Sequence, residues 1–271
     1  MRRTIAVAGL ALSALIVVAN QPNAFPGGTP RLVTNMTPQC AGCHSSVNAE
    51  QVRDMPADAA AGYLADKQHF EKIKAGERSY AKLTPEDRDK LIANVKTMEA
   101  NSHAEMVVSA TRVKSFAPLT VTVKTHGGAG PVVGVMLTDN DLRFSSSPIQ
   151  AAGFLITMAP IVIGPDGNAQ TQFLDGRYAG LGKNINFVNI SGVKGEVETG
   201  AYQDCSVKYA LRAPVQAGTY TIAAAFLFGT EKGSALGRTE APGGRTIPAG
   251  GGGAGSGRIL FTKPITIKVT K

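Results

Sequence analysis

The residues in this chain with the most specific chemistry are Cys40-Ala41-Gly42-Cys43-His44. Two thiols two residues apart, followed at once by an imidazole, have the spacing at which c-type haem is attached. The thiols add across the two vinyl groups of one haem c, which is then held covalently. His44, next to the second thioether, is placed to bind the iron from the proximal side. Ala41 and Gly42 are small enough to let the segment lie close to the porphyrin edge. The competing chemistries need features that the chain lacks. A thioredoxin-like dithiol would follow a strand in a βαβ unit, and no such run precedes Cys40. A zinc site would need a second ligand pair at finger-like spacing, whereas Cys205 stands alone and distant. A plain disulfide between Cys40 and Cys43 is the structural alternative.

Iron that passes electrons usually carries a second axial ligand, Met or His, which tunes its potential. Met55, His69, Met98, His103, Met106 and His126 follow the motif. Met98 shares an apolar stripe with Leu91 and Val95, so packing is its expected role. Met55, just ahead of Pro56, is a short path from His44 around a porphyrin. His69 falls in a helical stretch between the motif and the next helix, beside Ile73. The expected distal ligand is therefore His69, with Met55 the alternative, then His103 and Met98. Cys205 is expected to be a buried, inert thiol on the apolar face of a strand. Thr138-Asp139-Asn140-Asp141 lacks the length and terminal Glu of an EF-hand and reads as a turn. No Ser-His-Asp or paired-carboxylate arrangement stands out, so no catalytic residue is assigned.

These residues must be delivered to the right compartment. Arg2 and Arg3 precede an almost wholly apolar run from Thr4 to Ala19, and polar residues follow. That order fits a secretory signal peptide over residues 1–19, cleaved after Ala19 or Ala24. The expected location is periplasmic or extracellular, where haem c is attached. Loss of Arg2 and Arg3 lowers the formal charge from +8 to +6. Residues 20–113 are balanced, so the excess lies in residues 114–271. It is scattered and does not form the Lys/Arg cluster that nucleic acid requires, but it could steer an acidic redox partner. Membrane association is compatible with this charge and not required by it. The absence of Trp and the 6% aromatic content argue against a carbohydrate groove or a base-stacking surface.

The elements divide the chain in two. Asn20 to Thr34 is rich in Pro and Gly and reads as an extended lead-in. Pro56 to Ala75 favours helix, with Tyr63, Phe70 and Ile73 near one face, and Gly76 ends it. Thr84-Pro85-Glu86-Asp87 is a strong helix start, with a Thr cap, Pro in the first turn and acids at the positive dipole end. Leu91, Ile92, Val95 and Met98 then form a stripe to about Asn101. After Val113 the period becomes two. Leu119, Val121 and Val123 alternate with polar residues, as do Cys205 to Leu211, and Ile265 to Val269; Tyr220 to Phe228 forms one face of another run. Seven or eight strands separated by Gly/Pro/Asn/Asp breaks suit an antiparallel sandwich. Ala217-Gly218-Thr219-Tyr220 resembles the turn-then-Tyr element of immunoglobulin-like domains, whose Tyr hydroxyl pins a corner. Residues 249–257 (AGGGGAGSG) read as a hairpin tip or insertion.

CAGCH at 40–44 and LTPEDRDKLIANVKTM at 83–98 resemble a monohaem c-type cytochrome domain over residues 36–100. Phe25-Pro26-Gly27-Gly28 ahead of the motif, with a sandwich behind, is also similar to secreted bacterial proteins that join such a segment to a reeler-like β-sandwich. The resemblance implies a multidomain α and β chain. A small α-helical cytochrome domain at 20–113 would be followed by an all-β immunoglobulin-like antiparallel sandwich at 114–271. It implies single-electron transfer to a redox partner protein, so a carrier rather than a stand-alone enzyme, with the sandwich docking or anchoring. The alternatives are a haem-containing subunit of a periplasmic dehydrogenase complex, or a five-coordinate haem acting on peroxide or sensing a small gas.

Overall fold

The computed structural model describes residues 53, 55–62, 64, 66–142, 145–171, 186–241, 245–248 and 257–271. Cys40, Cys43, His44, the apolar N-terminal run, the Pro-Gly lead-in and residues 249–256 lie outside the described residues.

The helical residues come first. α1 (Ala57–Gly62) leads to a π turn (Asp66–Phe70), α2 (Glu71–Ala75), a 3-10 turn (Arg78–Lys82) and α3 (Pro85–Ala100). Gly76 ends α2 with φ 70°, a left-handed conformation suited to glycine. Thr84 caps α3 by accepting from the Asp87 amide at 3.1 Å, with Pro85 in the first turn.

The strands are β1 (His103–Val108), β2 (Arg112–Lys114), β3 (Pro118–His126), β4 (Ala129–Thr138), β5 (Leu155–Ile156), β6 (Ile161–Ile163), β7 (Val188–Ser191), β8 (Asp204–Arg212), β9 (Gly218–Gly229), β10 (Arg238–Ala241), β11 (Arg245–Pro248), β12 (Gly257–Phe261) and β13 (Ile265–Thr270). One sheet runs β1-β3-β8-β5, with β6 also on β8. The other runs β2-β13-β9-β4-β7, with β12 also on β9. β10 and β11 form a separate hairpin. The β13–β2 pair is parallel, and the other pairings are antiparallel.

The two sheets close on each other as a predominantly β sandwich. Leu119, Val121 and Val123 of β3 and Val207, Tyr209 and Leu211 of β8 meet Val135, Leu137, Ile222, Phe226 and Ile267 of the opposite sheet. These are the positions marked by period-two alternation, because the other face of the β1-β3-β8 sheet is left to solvent. Val133 to Thr138 of β4 and the second half of β9 are buried on both faces. Their outer sides meet Phe187, Ile259 and Phe261 in a second apolar cluster. At the corner before β9 the Tyr220 hydroxyl donates to the Gln216 carbonyl at 2.8 Å, as the turn-then-Tyr pattern led one to expect. Asp139 and Asn140 likewise make a turn, accepting from the Ser147 and Leu142 amides.

The resemblance to a cytochrome domain is overturned. Phe70, Ile73, Tyr80, Leu91 and Val95 fill a small cluster of their own, while Met98 sits in the sandwich core. Among the described residues no group of three or more His, Cys, Asp or Glu is placed to hold a metal ion. The description of the helical part as an iron-binding cytochrome is corrected accordingly. It packs onto one end of a β-sandwich.

Candidate functional site

The most concentrated chemistry among the described residues is a buried polar cluster where the helices meet the sandwich. The π turn brings His69 and Phe70 into the interior together. The following 3-10 turn supplies Tyr80, and α3 supplies Glu99. From the sandwich come Glu231, just after β9, and Arg258, the second residue of β12. The Arg258 Nη2 group donates to His69 Nδ1 at 2.8 Å. A guanidinium has only donors, so Nδ1 is the acceptor and the ring proton of neutral His69 is on Nε2. That Nε2–H faces Glu231 Oε1 at 2.5 Å, and the Tyr80 hydroxyl donates to the same oxygen at 2.5 Å. Arg258 Nε pairs with Glu99, and Nη1 donates to the Gly257 carbonyl at 3.0 Å. The guanidinium also lies 5.4 Å from the centre of the Phe70 ring.

Burial sets the protonation states. Desolvation holds His69 well below its ordinary 6.5, reinforced by Arg258 and Lys72. His69 is therefore neutral, and its contact with Glu231 is a hydrogen bond and not an ion pair. Desolvation pushes Glu231 up to about 8, against the opposing effects of Tyr80 and Arg258. Burial raises Tyr80, helped by Glu231. Glu99 is raised by burial too, although Arg258 pulls it down. A Glu231 that stays protonated while Arg258 pairs with Glu99 leaves the cluster without net charge, the arrangement that costs least in a dry interior.

This predicts a pH dependence. Folded Glu231 binds a proton more tightly than the unfolded chain does, so its stabilisation is complete below 4.5 and is lost as pH rises towards about 8. His69 acts in the opposite sense: its contribution is complete above 6.5 and is lost as pH falls. Above 6.5 the His69 contribution is complete and the Glu231 change is still in progress. Stability is expected to fall by about 2 kcal/mol between pH 6.5 and 8. Denaturant unfolding across that range should show the fall in the parent chain and a flatter profile in Glu231→Gln.

His69 was the expected distal iron ligand, and the structure gives it other work. Nδ1 accepts from Arg258 and Nε2–H faces Glu231, so no lone pair of the ring is left for iron. With His69 4% exposed and Glu231 and Arg258 at 1% or less, the cluster is closed to a porphyrin as well. Met55 is half-buried, two residues ahead of α1. His103 begins β1 directly opposite His126, with ring centres 4.9 Å apart. His126 Nδ1 lies 2.7 Å from Asp204. Near this pair a cleft of about 710 Å³ is lined by Lys124, Ile163, Gly164, Tyr202 and Asp204 among others. Cys205 is buried at its floor, its thiol pushed up to about 11 by burial, as suits an inert side chain.

Glu231 and Arg258 escaped the sequence reading because they lie 162 and 189 residues from His69. One local signal existed. Each is a charge set hard against a buried apolar run, Ile222–Phe228 in one case and Ile259–Phe261 in the other. A buried charge needs a partner.

No family model matches the chain, and no curated protein matches it. The solved structures give β-domain likenesses. A bacterial hydrophobin, BslA, has 13% identity and a TM-score of 0.33, covering 63% of this chain and 96% of that one. The major pilin SpaD of Corynebacterium diphtheriae has 10% identity and a TM-score of 0.34, covering 61% of this chain. The N-terminal domain of the Streptococcus gordonii adhesin Sgo0707 has 9% identity and a TM-score of 0.32, covering 64%. The aligned part is 35% of the pilin chain and 33% of the adhesin chain. At these scores the likenesses carry no argument about function. The three are hydrophobin, pilin and adhesin structures and not cytochromes.

Proposed function

We propose that the chain is an exported single-electron carrier whose redox group is one haem c, thioether-linked to Cys40 and Cys43 with His44 as proximal ligand. In this reading the β-sandwich docks or anchors the haem-bearing N-terminal segment. The spacing of Cys40, Cys43 and His44 carries the reading, and the apolar run before it supports export to where haem is attached. Bound haem would supply one-electron chemistry at its iron. The immunoglobulin-like character of the sandwich is supported by the Tyr220 corner. The charge excess in residues 114–271 favours an acidic redox partner.

The described residues do not offer His69 as a second ligand, and Met98 is taken into the sandwich core, which leaves Met55 and, after it, His103 as the expected ones. The same observation favours a second reading, in which the iron has an open position and acts on peroxide or senses a small gas. Absorption spectra of the reduced exported protein with and without carbon monoxide separate the two. A spectrum unchanged by the gas is expected for the carrier. A shift on adding it would overturn the carrier in favour of the second reading.

A further inference from the structure

β1 stands at one end of the sheet order β1-β3-β8-β5 and has β3 on one side alone. The register shows which of its backbone groups β3 takes up. In an antiparallel pair, residues that exchange both backbone hydrogen bonds with the opposite residue alternate with residues whose groups point away. Just past β1 the Ser109 amide donates to the Thr120 carbonyl at 2.9 Å, and the register runs without a break from Val108 opposite Val121 to His103 opposite His126. His103, Glu105 and Val107 therefore bond to β3, and Ala104, Met106 and Val108 turn their amides and carbonyls away from it. The far side of β3 agrees. There the Gly127 amide donates to the Gln203 carbonyl and the Ala213 amide to the Ala117 carbonyl, so the odd-numbered residues of β3 serve β8 and the even-numbered ones serve β1. Among the described residues no hydrogen bond reaches the outward groups of Ala104, Met106 and Val108.

Strand edges elsewhere are closed by side chains. On β7 the Gln170 carboxamide donates to the Ser191 carbonyl at 2.9 Å and accepts from the Ser191 amide at 3.1 Å. On β4 the Asn186 carboxamide accepts from the Leu137 amide at 3.0 Å and donates to the Leu137 carbonyl at 2.9 Å. Each stands in for a neighbouring strand. β1 has no such cover, and neither Pro nor Lys falls within it to blunt the edge. The core is thin at the same place. Ala104, Met106 and Val108 face it but are only half-buried, whereas Leu119, Val121 and Val123 of β3 are at most 3% exposed.

We infer that β1 pairs antiparallel with β1 of a second copy of this chain, joining the two β1-β3-β8 sheets edge to edge. A strand that takes this edge has to offer apolar residues inward, to continue the core, and no acid opposite Glu105. β1 read in reverse meets both demands. With Met106 opposite Met106 about a two-fold axis, Ala104 comes opposite Val108 of the second copy, and each such pair exchanges both backbone bonds. The inward row is then apolar throughout. On the outward row Glu105 comes opposite Val107 of the second copy and never opposite Glu105. Lys124, directly opposite Glu105 on β3, offsets the charge that remains. Pairing also gives Val107, 60% exposed in one copy, a neighbour on its free side. The inference does not depend on haem.

Sedimentation equilibrium of the exported chain and of its Val107→Glu and Val107→Lys variants tests this. The parent is expected to be a dimer that dissociates on dilution. Val107→Glu sets an acid opposite Glu105 of the other copy, twice by symmetry, and should weaken dimerisation roughly tenfold or more. Val107→Lys sets a cation in the same two places and should dimerise at least as tightly as the parent. Within one copy Val107 is exposed and opposite Thr122, so the circular dichroism of both variants should match the parent. A parent chain that stays monomeric at every concentration would overturn the inference and leave the edge to a strand of another protein. A dimer that the glutamate and lysine variants affect equally would overturn it too, by placing the contact on another surface.

Discussion

Replacing Arg258 with methionine is expected to lower the stability of the folded chain by about 3–5 kcal/mol. This is the largest single-residue effect on stability that the cluster implies. Arg258 is 1% exposed and serves three groups: the Glu99 carboxylate, the His69 Nδ1 lone pair and the Gly257 carbonyl. Methionine fills much of the stem volume but donates no hydrogen bond. The cost is therefore that of the groups left behind, chiefly a Glu99 side chain only 8% exposed. For a chain of this size a loss of that order lowers the melting temperature by roughly 10 °C. Adding Glu99→Gln to Arg258→Met removes the stranded charge and should recover part of the loss, because residues in one network do not behave additively. A melting temperature for Arg258→Met within about 2 °C of the parent would show that the cluster does not hold the helices to the sandwich.

How much of this was legible in the sequence depended on how local each determinant is. The α3 cap was readable because Thr84, Pro85 and Asp87 are consecutive in function and in space. Alternation found β3, β8 and β13, whose residues face the core on one side and water on the other. It did not mark β4, where Val133 to Thr138 is buried on both sides and reads as an unpatterned apolar stretch. It also left His103 to Val108 unassigned. That segment is a strand because β3 pairs with it along its whole length, which no local propensity reveals.

The site was less legible than the fold. His69 is buried, as a distal ligand would have to be, but the groups that face it are Glu231 and Arg258 and not iron. A buried imidazole fits an iron ligand and a hydrogen-bonded strut equally well from one side of the sequence. The choice was made by Glu231 and Arg258, which only the closed sandwich brings within reach. The likeness of residues 83–98 to a cytochrome helix misled for a related reason. A capped amphipathic helix with Leu91, Val95 and Met98 on one face suits any apolar partner. Here that partner is the helical cluster and the end of the sandwich.

The second large effect concerns Cys40 and Cys43. In the proposed haem c attachment, each thiol would form one of the two thioethers that the C-x-x-C-H spacing allows. Changing both to serine removes both covalent attachments and should abolish retained pigment in the exported protein. Changing either one alone should leave haem held by a single thioether, with an altered pyridine haemochrome band. The sandwich core among the described residues is built from Met98 and residues beyond it, so cooperative unfolding of the β region is expected to persist in the double variant. Pigment that survives in the double variant would place the haem elsewhere.

The intact mass of the exported chain, produced beside working haem-maturation machinery and extracted with acid acetone, tests the proposed cofactor most directly. The account predicts a coloured polypeptide heavier than the processed chain by one haem. A colourless chain whose mass is lowered only by the two hydrogens of a Cys40–Cys43 disulfide would contradict it.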